Sequence, residues 1–116
     1  MEKEFAGKVA VVTVAGIGIG YESCRSLVER GSLVVLNDLD ASVAAEAASK
    51  IDSELRSTIA IPGDASDPQF IDSLFETALD RFGHIDIAIA NAGITTYGSF
   101  LDHTVEKFRK LVALNL

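Results

Sequence analysis

The chain has 116 residues, 48% of them hydrophobic and 23% charged, and a net charge of −7 at neutral pH. Its length suits a single domain with its own core, and its acidity argues against a nucleic-acid surface, whose phosphates call for a basic stripe. The acid is spread along helical stretches (Glu46, Asp52, Glu54, Asp72, Glu76, Asp80), the pattern of a solvated surface. The longest apolar stretch, Val9 to Ile19, is too short and too glycine-rich to span a bilayer, so no membrane partner is expected. Met1-Glu2-Lys3-Glu4 opens no signal-type hydrophobic segment. The one cysteine, Cys24, cannot close an internal disulfide, and the expectation is a cytoplasmic protein in a reducing setting.

Val9–Val14 (Val-Ala-Val-Val-Thr-Val) is a continuous run of apolar β-formers, as expected of a strand covered on both faces. A helix opens near Gly18 and extends to about Arg30, stopped by Gly31. Cys24 falls within it near Leu27 and Val28, with no base close in sequence, and is expected to be a buried structural thiol. Leu33–Leu36 is the second strand. The next helix is Ala41–Leu55, with Ala44, Ala47, Ala48, Ile51 and Leu55 spaced along one buried face.

Thr58–Ile61 is the third strand, ended by Pro62-Gly63. Asp67-Pro68 is an N-cap followed by a first-turn proline. Behind it Ile71, Leu74, Phe75, Ala78, Leu79 and Phe82 form an amphipathic stripe, and Gly83 stops that helix. Ile85–Ala90 is the fourth strand, followed by Asn91-Ala92-Gly93. A last helix starts near Asp102 to Thr104 and carries Val105, Phe108, Leu111 and Val112 inward. Regular strand–helix alternation predicts an α/β fold with a parallel sheet, right-handed crossovers and helices on both faces.

The first strand runs into Thr13-Val14-Ala15-Gly16-Ile17-Gly18-Ile19-Gly20, and the second apolar run ends in Asp38. A glycine-rich strand-to-helix turn lets backbone approach a pyrophosphate, and the free N–H groups of the helix start supply positive potential. An acid at the tip of the next strand accepts hydrogen bonds from ribose hydroxyls. Asp64, in Gly63-Asp64-Ala65 after the third strand, is placed either to meet an adenine amino group or simply to begin the turn before Asp67-Pro68. His84 and His103 have no Cys, Asp or Glu at ligand spacing, so no metal site is expected.

These motifs resemble the N-terminal half of the short-chain dehydrogenase/reductases, and the resemblance covers all 116 residues. The family's Thr-Gly-x-x-x-Gly-Ile-Gly turn aligns with Thr13 to Gly20, its acid after the second strand with Asp38, and its Asp before the third helix with Asp64. Its Asn-Ala-Gly aligns with Asn91-Ala92-Gly93, behind a similar lead-in, Gly83-His84-Ile85-Asp86-Ile87. The resemblance implies one Rossmann-type domain over residues 1–116, a three-layer αβα arrangement with a four-stranded parallel sheet in the order 3-2-1-4. It implies nicotinamide-dinucleotide contacts from Thr13, Gly16, Ile17, Gly18, Ile19, Gly20, Asp38, Leu39, Asp64, Ala65, Asn91, Ala92 and Gly93. Asn115 matches the family's helix asparagine, which orders the water of a proton relay.

Members taking NADP place Arg or Lys near the 2′-phosphate; here Ile17 and Leu39 stand at those places beside Asp38, so NAD is expected over NADP. Two departures bear on function. Val14 stands where the family pattern has glycine, so cofactor affinity is expected to be weak if the turn needs a positive φ or a close backbone approach. The family's catalytic Ser and Tyr-x-x-x-Lys are not found: Tyr21 is followed four residues on by Arg25, and Tyr97 by Leu101. The chain itself is therefore expected not to catalyse hydride transfer.

In the implied strand order, the apolar fourth strand is an open edge, a template for association. A homodimer through that edge or through the last helix is expected. Two other readings stay open: a non-catalytic, self-associating module with lost cofactor affinity, and a methyltransferase, which also uses a glycine-rich first turn and an acid after the second strand. The Thr-led turn and Asn91-Ala92-Gly93 speak against the latter.

Overall fold

The protein is described by a computed structural model over residues 4–91 and 104–115. Its elements in chain order are β1 (Val9–Val12), α1 (Gly18–Glu29), β2 (Leu33–Asp38), α2 (Ala41–Ile51), β3 (Thr58–Pro62), α3 (Pro68–Phe82), β4 (Ile87–Ile89) and α4 (Val105–Asn115). The strands form one parallel sheet in the order β3-β2-β1-β4, as the sequence predicts.

The apolar runs become strands because both faces of the sheet are covered. Ala10, Val12, Val34 and Leu36 point to one face, where they pack with Ala15, Cys24, Ala44 and Ala47 of the α1–α2 side. Val11 and Val35 point to the other, against Leu74 and Ala78 of α3. All four residues of β1 are buried, so there is no polar alternation for the sequence to show. Burial of the Cys24 thiol pushes its pKa up to about 12, as an inert structural cysteine requires.

Caps fix the helix limits. Asp40 begins α2, its carboxylate accepting from the backbone N–H groups of Ser42 (2.8 Å) and Val43 (3.2 Å). Asp67 begins α3 by accepting from the Gln69 N–H at 3.0 Å, with Pro68 in the first turn as expected. Gly83, at φ 84°, closes α3 in the left-handed conformation.

The structure corrects several boundaries. α2 stops at Ile51 instead of Leu55, because Asp52 turns the chain: its carboxylate accepts from the N–H of Glu54 (3.3 Å) and of Ser57 (2.6 Å). Leu55 then lies beyond the helix at φ 52° and is 49% exposed. Leu79 (47% exposed) and Val105 (66%) are also not core residues, whereas the rest of the α3 stripe packs inward. β1 ends two residues early, at Val12, because the chain turns left-handed at Val14. β2 runs on through Asn37 and Asp38, which pair in register with Ile61 and Pro62. β4 is confined to Ile87–Ile89. Phe108 and Leu111 of α4 have side chains outside the described residues.

Candidate functional site

The C-terminal ends of β1, β2 and β3 and the start of α1 converge on one edge of the sheet. In an open α/β sheet this edge carries the ligand crevice. The turn after β1 is held by two asparagines. Asn37 Oδ1 accepts from the Val14 N–H at 3.2 Å, and the Asn37 carbonyl accepts from the Ala15 N–H at 2.7 Å. From the other side, Asn91 Nδ2 donates to the Val14 carbonyl at 2.9 Å, and the Asn91 N–H donates to Thr13 Oγ1 at 3.1 Å. Thr13 also continues the β1–β4 ladder through its own N–H to the Ile89 carbonyl.

Val14 adopts φ 50°. For a β-branched residue this is a strained left-handed conformation, and it occurs at the position where the family pattern has glycine. Gly18 has φ 65° with open space around its Cα, so its demand for glycine is conformational. Gly20 is different. A Cβ there would come within 2.6 Å of Asn91 Nδ2 and 2.8 Å of the Val14 carbonyl oxygen, so its demand is close packing of helix on turn.

The start of α1 fits a phosphate. Its N-cap, Ile17, offers no side-chain hydrogen bond, and the first turn carries no acid, whereas α2 and α3 are each capped by an aspartate. The positive end of the α1 dipole is thus not answered by a side-chain cap, in the way an anion site requires. Ile17 (74% exposed), Ile19 (81%) and Leu39 (70%) make the rim of this edge apolar.

Asp38 lies beside the turn, only 9% exposed. Its Oδ2 accepts from the Gly16 N–H at 3.1 Å and its Oδ1 from the Asp40 N–H at 3.2 Å, which leaves further lone pairs on both oxygens. Gly16 makes this approach possible: a Cβ would lie 2.7 Å from Asp38 Oδ2 and 2.3 Å from Val43 Cγ1.

At the end of β3, Asp64 Oδ1 accepts from Ser66 N–H (2.9 Å) and Ser66 Oγ (2.7 Å), and the Asp64 carbonyl accepts from the Asp67 N–H (3.0 Å). Asp64 therefore does begin the turn before Asp67-Pro68, and Ala65 sits within that turn. The Phe70 ring lies over Gly63, whose N–H donates to the Asp38 carbonyl at 3.0 Å.

The structure thus brings Thr13, Gly16, Ile17, Gly18, Ile19, Gly20, Asp38, Leu39 and Asn91 to the same edge as Asp64 and Ala65. Ala92 and Gly93 lie outside the described residues. Asn115 is the last residue of α4, and its side chain is likewise outside them. The residue that sequence reasoning passed over is Asn37, fully buried at the strand tip. Its signal is a lone amide closing an apolar strand, a polar group that must find partners inside. Among the described residues no group of His, Cys, Asp and Glu could hold a metal ion, and no helix is long and apolar enough to cross a membrane.

Comparison with known proteins places this geometry in a family. The family model described as short chain dehydrogenase matches residues 8–116. A versicolorin reductase of Emericella nidulans is 38% identical over 113 residues, a match covering 94% of this chain and 42% of that protein. L-fucose dehydrogenase of Mus musculus is 36% identical over 114 residues, covering 97% of this chain and 40% of the relative. The solved structure of a short-chain dehydrogenase/reductase from Brucella melitensis, a glucose/ribitol dehydrogenase, superposes with a TM-score of 0.93 at 28% identity. That superposition takes in all of this chain and 49% of the other. The chain spans less than half the length of these relatives, and it belongs to the short-chain dehydrogenase family.

Proposed function

We propose that these 116 residues are the nicotinamide-dinucleotide-binding part of a short-chain dehydrogenase/reductase, with NAD preferred over NADP. The observation that carries the reading is the Asp38 carboxylate, held at 3.1 Å from the Gly16 N–H at the tip of β2. In this reading the start of α1 takes the pyrophosphate, Asp38 the ribose hydroxyls and the Gly63–Ala65 turn the adenine. In the same reading Thr13 and Asn91 serve the nicotinamide half, where the family pattern also assigns contacts from Ala92 and Gly93. A 2′-phosphate charge about 4 Å from Asp38 is opposed by roughly 4 kcal/mol at an effective dielectric of about 20. Neither Ile17 nor Leu39 offers a cation to offset it.

A bound nicotinamide supplies hydride donor or acceptor capacity toward an alcohol or carbonyl. The chain's own residues bind and orient it. A proton must also move to or from the substrate oxygen, and the 116 residues contain no Tyr-x-x-x-Lys to move it. Asn115 matches only the position that orders a relay water. The chain alone is accordingly proposed to be inactive, and a cytoplasmic setting remains part of the proposal.

A second reading is favoured by Val14. Its left-handed backbone strains the turn, and its side chain with that of Ile17 makes the turn apolar, as expected of a module with weakened cofactor affinity. β4 pairs with β1 on one side and, among the described residues, carries no strand on the other. This edge, or the exposed side of α4, is the proposed homo-oligomer contact. Sedimentation equilibrium distinguishes the two: a monomer at high concentration removes the self-association reading. Calorimetric titration with NAD, NADP and S-adenosylmethionine tests the leading one. Saturation by NAD with weaker NADP binding supports it, and saturation by S-adenosylmethionine alone overturns it.

A further inference from the structure

Building on the nucleotide-binding reading, we infer that Asn37 is a positioning residue that sets the separation between the pyrophosphate turn and the adenine-side turn. Its side chain is fully buried and joins three strands at their C-terminal ends. Oδ1 accepts from the Val14 N–H (3.2 Å), while Nδ2 donates to the carbonyls of Ile61 (3.0 Å) and Gly63 (3.2 Å). These partners fix the orientation of the amide, since its oxygen meets a donor and its nitrogen meets two acceptors.

The carbonyl of Asn37 also accepts from the Ala15 N–H, so both ends of the residue hold the turn after β1. Its neighbour Asp38 accepts from Gly16 through its side chain and from Gly63 through its carbonyl. Val14 to Gly16 on one side and Ile61 to Gly63 on the other are therefore registered to the same two residues of β2. A dinucleotide must span both turns at once, so a change in their separation weakens it more than a ligand touching only one. Without an amide here, the Val14 N–H and the Ile61 and Gly63 carbonyls lose their shared partner, and the two turns relax independently.

The test uses Asn37→Ser, which keeps one donor and one acceptor, and Asn37→Leu, which keeps neither. Both are compared with the unaltered chain and with Val14→Gly. NAD affinity is read by calorimetry and adenosine affinity by amide shift titration, with a thermal melt reporting folding. NAD affinity is expected to fall more than tenfold in folded Asn37→Ser while adenosine weakens less than threefold. A merely structural role lowers the melting temperature and leaves both affinities of the folded fraction alike.

Equal weakening of the two ligands, or unchanged NAD affinity, overturns the inference while leaving nucleotide binding intact. Absence of NAD saturation in both the unaltered chain and Val14→Gly overturns the nucleotide reading and the inference with it. Hydrogen exchange supplies a check that needs no variant. The Asn37 side-chain amide protons of the unaltered chain should exchange far more slowly than those of an exposed asparagine, and free exchange contradicts the assignment.

Discussion

Replacing Val14 by glycine should make the fold more stable, although it removes a hydrophobic side chain. An L-residue in the left-handed region costs roughly 1–2 kcal/mol, and a β-branched one lies at the upper end. Val14 holds this conformation at φ 50°. Glycine removes that strain and returns about 0.5–1 kcal/mol as backbone entropy lost on folding. Val14 is only half-buried and belongs to neither core cluster, so its methyls contribute little.

The two hydrogen bonds that hold Val14 use its backbone N–H and carbonyl, so they survive the change. The balance is a gain of about 1 kcal/mol, or about 4 °C in Tm for a domain of this size. Thermal melts of the parent, Val14→Gly and Val14→Ala check it. Alanine keeps a Cβ at positive φ and so retains most of the strain. A Val14→Gly protein melting at or below the parent, or an equal gain from Val14→Ala, would show that backbone strain at Val14 does not limit stability.

Gly20→Ala is expected to destabilise by about 1–3 kcal/mol through overpacking, because its Cβ meets Asn91 Nδ2 at 2.6 Å and the Val14 carbonyl oxygen at 2.8 Å. A chemical denaturation curve unchanged from the parent contradicts this. The Cys24 thiol, raised from 9.0 to about 12, contributes stability that is fully present below pH 9 and is lost as pH rises toward 12. Subtracting the melts of Cys24→Ala from those of the parent across that window isolates the effect, and a pH-independent difference counts against it. Asp40 works in the opposite sense. Hydrogen bonds from the Ser42 hydroxyl and from the Val43 and Ser42 backbone lower its pKa, so its contribution is present at neutral pH and lost as pH falls through the folded value. Asp40→Ala should flatten the acid limb of the stability profile. Asp38→Asn should reduce the discrimination against NADP, read as the ratio of the two dissociation constants.

The sheet order and the helix starts were legible because several independent signals agreed. Each buried strand is a run of small and β-branched residues, Asp67-Pro68 carries its own cap, and the glycine turn is followed at the right distance by Asp38. Val14 was legible as a problem, since the turn called for a glycine and φ 50° shows why. What stayed hidden depended on contacts distant in sequence. Periodicity gives the direction of a buried face and not its width, so it places Leu79 and Val105 inward although they are 47% and 66% exposed. Periodicity does not mark the end of α2, because the Asp52 carboxylate competes for backbone N–H groups from residues beyond the helix. Asn37 is not legible in the sequence because its partners, Val14, Ile61 and Gly63, lie 23 to 26 residues away, and only the folded sheet brings them together.

In the proposed function the glycine turn, the tip of β2 and the turn after β3 form one nucleotide site. NAD titrated into isotope-labelled protein, followed by backbone amide shifts, tests it directly, with Val14→Gly measured beside the parent. Saturable shifts are expected at Thr13–Gly20, Asp38–Asp40, Gly63–Ser66 and Asn91–Gly93, at lower NAD concentration in Val14→Gly. Shifts centred elsewhere on the domain, or none in either protein, would contradict it.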